Sequence, residues 1–184
     1  MEIKIKTKQI LLVLQIICWI IFVGVSIDAF GYIFATVYTT AYNPANAATF
    51  WPGNDLSHLY AFDKGYLIVM AIYMTIVAMM KASMFYAIIK ILQDKSLSIS
   101  QPFSKKAVRF ILLMALLAFG AGIFSEWGVK QTEWLVQQGV KMPDTYYLNL
   151  GGGDVWLFMA VALLVLAQVF RRGIEIQTEN ELTV

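Results

Sequence analysis

Lys81 stands inside a largely apolar run over residues 66–92, well before Lys90, which marks its end. A lysine at the centre of a membrane helix costs roughly 2.5 to 3.5 kcal/mol to insert, so it normally faces a bundle interior or a water-filled cavity. The competing reading is a side chain that snorkels to the nearer surface. Lys81 is therefore the first candidate for a ligand or ion site. Gln15 and the acids Asp28, Glu126 and Asp154 are the polar groups closest to the apolar segments, and they complete the candidate set.

Other reactive residue types carry less. His58 is the single histidine, and with Asp55 and Asp63 it makes a weak divalent-metal pattern that reads more simply as polar surface. Haem between membrane helices needs paired axial ligands, which one loop histidine does not supply. Cys18 has no base near it in sequence and reads as a small apolar residue. Residues 151–153 are three glycines without the preceding strand and spacing of a nucleotide loop. Nothing here predicts catalysis, a metal or a cofactor.

The elements that position Lys81 follow from composition. The chain is 184 residues long, 59% hydrophobic and 14% charged, with mean hydropathy +0.67, which is the signature of an integral membrane protein. Four apolar runs, over about 10–34, 66–92, 107–125 and 155–170, read as spans of a single domain covering 1–184. The first follows a basic leader (Lys4, Lys6, Lys8) and is too long for a cleaved signal. Five methionines (Met70, Met74, Met79, Met80, Met84) make the second span adaptable in packing. Gly120 and Gly122 in the third allow close helix approach.

Charge sets the orientation. Lys4, Lys6, Lys8, Lys90, Lys95, Lys105, Lys106, Arg109, Arg171 and Arg172 fall on one side, and only Lys64, Lys130 and Lys141 on the other. The positive-inside rule places both termini in the cytoplasm. Residues 39–64 and 126–153 are then outer loops, with Asp154 placed to cap the fourth span. Segments 56–62 and 145–150 are candidate short strands of a small extracytoplasmic cap. The fold class expected is an all-α four-helix membrane bundle carrying that cap.

A rise of about 1.5 Å per residue puts Lys81 about 13 to 14 Å above Lys90. The same arithmetic sets Cys18, Ala118 and Ala162 at its level and moves Asp28, Glu126 and Asp154 to about 25 to 30 Å, near the outer surface. Lys81 leans toward the N-terminus of its helix, hence outward. An outward-opening polar cavity, with acids at its rim and Lys81 at its floor, is the expectation.

The most distinctive residues lie at the other side. QPFSKKAVRFI precedes the third span, and FRRGIEIQTENELTV ends the chain. These pieces resemble the bacterial membrane family catalogued as domain of unknown function 2975. The resemblance rests on Phe103 and Ser104, on Gly173, and on the terminal Glu179, Asn180, Glu181, Leu182, Thr183 and Val184; it covers mainly residues 66–184. It implies four spans with cytoplasmic termini in a bacterial inner membrane. It also implies a regulatory or sensory role beside a small helix-turn-helix regulator; direct nucleic-acid binding by this chain is not expected, because a net charge of +2 is too small to argue for it. Phe103, Ser104 and residues 179–184 are the candidate docking residues, with Ser104 suited to cap the third helix. The bilayer is the first partner, and self-association is left open. The leading function is a non-enzymatic regulatory membrane protein; a small transporter or channel above Lys81 is the runner-up, and an enzyme comes third.

Overall fold

The computed structural model describes residues 7–94 and 104–181, with side chains for 9–94 and 104–179. Helix α1 spans Thr7–Ala41. A short 3-10 turn, Pro44–Thr49, and helix α2, Ser57–Phe62, lead into α3, Lys64–Gln93. Helices α4, Lys105–Gln137, and α5, Gly153–Glu181, follow. α1, α3, α4 and most of α5 are each long and apolar enough to cross a membrane. A helix is the natural form for such segments, because it satisfies every interior backbone group within itself. Hydroxyls embedded in them do the same: Thr36, Thr75, Ser83 and Thr132 each donate to the carbonyl four residues back.

The ends are set by local chemistry. Asp63 caps α3 by accepting from the Gly65 and Tyr66 amides, and Ser104 caps α4 by accepting from Ala107 at 3.1 Å. Asp154 lies in the first turn of α5, where its charge suits the helix dipole, one residue inside the end it was expected to cap.

One expectation is corrected. No strand occurs among the described residues: segment 57–62 is helix α2, and 145–149 is a run of turns. A six-residue apolar run without clear alternation does not distinguish strand from helix, and here Asp55 favours the helix by accepting from the Ser57 amide and hydroxyl. The backbones of the long helices pack in a row, α1 on α3, α3 on α4 and α4 on α5, while α3 and α5 meet through side chains, Lys81 against Trp156.

Small residues make these seams close. Gly120 lies under the Met80 thioether, and Gly122 lies under Leu157 and the Gly153 carbonyl. Ala29, Ala35, Ala71 and Ala78 are buried along the α1–α3 seam. Where α1 and α4 fail to meet, the chain itself fills the gap. Leu148 and Leu150 are fully buried with Phe50, Leu56, Leu67 and Met70, so segments 42–63 and 138–152 interlock at one end of the helices. We call this the loop end and the opposite one the tail end.

Gly31 fixes the first of these segments to α1, because a Cβ there would lie 2.0 Å from the Trp51 ring. Gly31→Val should displace Trp51, lower stability by about 1 to 3 kcal/mol as overpacking does, and speed proteolysis within 42–63. Gly24→Val, on the same helix with nothing within 4 Å, should change neither. Equal behaviour of the two variants in detergent would remove Gly31 as the anchor.

Candidate functional site

The packing of α1 on α3 fixes what surrounds Lys81. Phe22 stacks near Tyr86 at 5.9 Å, and Ser26, Ala29 and Phe30 share a groove with Met79, Ala82 and Ser83. In this antiparallel register Asp28 comes level with Lys81, and its charge acts on the ammonium. The expectation that no acid shares Lys81's depth is therefore wrong. It took the start of α1 as level with the end of α3, whereas α1 overhangs that end. Cys18 accordingly lies about three turns tailward of Asp28, and Gln15 lies further still, away from Lys81.

Asp28 does not form an ion pair with Lys81; its carboxylate accepts from the Trp51 indole at 3.1 Å. Trp51 in turn meets Tyr32 edge-on at 5.7 Å. The Tyr32 hydroxyl accepts from the Asn149 amide at 2.5 Å, and the Asn149 carbonyl accepts from Lys81 at 3.1 Å. The Trp156 ring of α5 lies 5.7 Å from the same ammonium, within range of a cation–π contact. Asp28, Trp51, Tyr32, Asn149, Lys81 and Trp156 thus form one chain of contacts from α1 through both loop segments to α3 and α5.

Asn149 is the hinge of this chain. Its φ of 57° is the left-handed conformation, which asparagine tolerates better than most residues. That turn lets one residue offer its carbonyl to α3 and its amide to α1.

Above the ammonium opens a cleft of about 450 Å³ lined by Pro52, Lys81, Tyr146, Tyr147, Asn149, Gly151 and Gly152. Lys81 reaches toward the loop end, and the rim of the cleft there is aromatic and backbone rather than the acidic one expected. Glu126 lies against Gly153 at the start of α5, and Asp154 is exposed; neither lines the cleft. The sequence reading passed over Asn149, Trp51 and Tyr32. Asn149 ahead of the glycine run was the available signal for a left-handed turn.

An ammonium has three donors, and Asn149 takes the one hydrogen bond that Lys81 makes among the described residues. The cleft can therefore receive an oxyanion. The weak metal pattern resolves differently: Asp55 and Asp63 are both engaged with backbone amides at helix starts, and His58 is exposed. Of the docking candidates, Ser104 is the α4 cap. Phe103 and residues 182–184 lie outside the described residues, as do the side chains of Asn180 and Glu181, while Glu179 is exposed on α5.

The arrangement is that of an all-helical protein with four helices able to span a membrane and a polar cleft at one end. The chain belongs to the family described as protein of unknown function DUF2975, whose model matches residues 35–184. The match takes in both loop segments and every cleft residue. Comparison with curated proteins and with solved structures finds no match.

Asn149→Gly and Asn149→Ala both lose the bond to Tyr32, but only alanine is strained at this φ. The alanine variant should be less stable by about 1 kcal/mol in detergent unfolding, and equal stability would remove the conformational role. A second prediction concerns acid. Hydrogen bonds from the Ser57 hydroxyl and amide hold Asp55 below the usual carboxylate range. Its folded value is the depressed one, so its support of α2 is present above the ordinary carboxylate range and lost as pH falls through that lowered value. Protection of the Ser57 amide, its exchange rate taken against the intrinsic rate at each pH, should fall in acid, and Asp55→Ala should show the low protection at neutral pH as well.

Proposed function

We propose that this protein is a non-enzymatic sensory or regulatory membrane protein. Its cleft takes a small molecule bearing a carboxylate or another oxyanion, and it reports occupancy through α5 to a cytoplasmic partner. The observation that carries this reading is a single unbroken helix. α5 borders the Lys81 ammonium at Trp156 and runs on to Glu181 at the tail end. A change in how Trp156 sits against Lys81 is a change in the pose of the tail.

The charge distribution supports a cytoplasmic tail end and an extracytoplasmic cap at the loop end. The partner suggested by the family resemblance is a small helix-turn-helix regulator, engaging residues 179–184 and the 103–104 region. α5 packs its backbone on α4 and meets α3 through Trp156 at Lys81, so a change at that contact bears directly on its pose. The single-chain arrangement in a row favours a receptor over a conduit, because no ring of helices surrounds a path.

The test is thermal stabilisation of the purified full-length protein by acetate, succinate, glutamate and inorganic phosphate. One of these should raise the melting temperature, by an amount equivalent to about 2.7 kcal/mol at a hundredfold excess over its Kd. Lys81→Gln should abolish the shift while still inserting. A pull-down should recover a helix-turn-helix protein only when residues 179–184 are present. Flux in proteoliposomes that is lost in Lys81→Gln would instead assign a transporter or channel.

A further inference from the structure

At the tail end, α4 and α5 diverge enough to leave a second cleft of about 430 Å³, lined by Lys105, Val108, Arg109, Leu112, Arg171, Ile174 and Glu175. Its cations differ from their neighbours. Lys106 is paired with Asp94, and Arg172 with Glu175 at 2.7 Å. Lys105, Arg109 and Arg171 make no ion pair among the described residues, and all three are exposed. The one acid in the cleft, Glu175, is therefore already engaged by Arg172, and three cations line the cleft with no ion pair of their own among the described residues.

Their placement on α4 sharpens the point. Lys105 is the first residue of the helix, where the backbone dipole is already positive and a lysine is unfavourable. Lys105 and Arg109 are four residues apart and so share one helix face, which places like charges side by side. An anion seated between α4 and α5 relieves both repulsions. The cleft is also amphipathic: Val108, Leu112 and Ile174 line it, and Leu116 and Leu164, two turns further along the faces that carry Arg109 and Arg171, are exposed apolar side chains.

We infer that this cleft is a binding site for the phosphate headgroup of an anionic phospholipid. Lys105, Arg109 and Arg171 hold the phosphate, and the acyl chains run along the apolar surface of α4 and α5 past Leu116 and Leu164. Basic pockets between helices at the cytoplasmic surface are a recurrent way to hold such headgroups. Because Arg171 lies where α5 leaves the row of helices, the lipid ties the base of the tail to α4.

The experiment is native mass spectrometry of the full-length protein released from nanodiscs of phosphatidylcholine containing phosphatidylglycerol. Wild type should retain phosphatidylglycerol in preference to phosphatidylcholine. Arg109→Gln with Arg171→Gln should weaken retention about thirtyfold, the expected loss for two cations at an anionic lipid surface. Lys105→Gln, a change at the exposed first turn, should weaken it by a smaller factor, and Lys130→Gln at the other end of α4 should leave it unchanged. Equal retention of the two lipids, or retention by the double variant equal to wild type, overturns the assignment. Complete displacement of phosphatidylglycerol by millimolar inorganic phosphate also overturns it, since the cleft would then hold a soluble anion without using the acyl chains.

Discussion

An ammonium group set in an apolar helix needs an oxygen within reach, and for Lys81 that oxygen is the backbone carbonyl of Asn149. Much of the loop end depends on this one bond. To bring the carbonyl to α3, the chain after α4 turns back among the helices and adopts a left-handed residue. It also buries Leu148 and Leu150 beside the residues of the first loop segment. The side-chain amide of the same residue then reaches Tyr32 on α1. The chain is open at Asn149 but buried at Tyr32, where a missing link would leave a polar group unpaired, which makes it a specifying feature as well as a stabilising one.

The row-like packing gives that polar chain its setting. A ring of four helices would have filled the space between α1 and α4 with side chains. Here the space holds residues 145–151 instead, so the cleft is walled by backbone and loop aromatics. α1 carries the consequence at its other end. Its apolar residues from Ile10 to Ile17 are exposed and lie past the last turn of α3, and a helix of 35 residues is far longer than the ~30 Å hydrocarbon layer. Such a helix tilts or lays its first turns along the interface.

The four long helices were legible because apolar runs of that length have few alternatives, and the Ser104 cap was legible because a hydroxyl before a basic helix start has an evident use. The close approach at Gly120 and Gly122 was equally readable from residue size. What failed was depth. Counting residues from a basic flank assumes that the flanks of two helices are level, and α1 breaks that assumption, so Asp28 was assigned to the surface when it lies beside Lys81. The cleft wall failed for a different reason: Asn149, Trp51 and Tyr32 come together from three distant segments, and no local pattern encodes a contact of that separation. Segment 57–62 was ambiguous for want of any periodicity.

The hydrogen bond from Lys81 to Asn149 joins residues 68 positions apart in the chain, which has a consequence for biosynthesis. α3 is synthesised before α4 and before the segment that supplies the carbonyl, so Lys81 is made before its protein acceptor exists. Trp156 follows later still, in the first turns of α5. The ammonium must therefore remain hydrated through the interval, and the cleft is the last part of the molecule to be completed, assembled only when the final helix has been threaded.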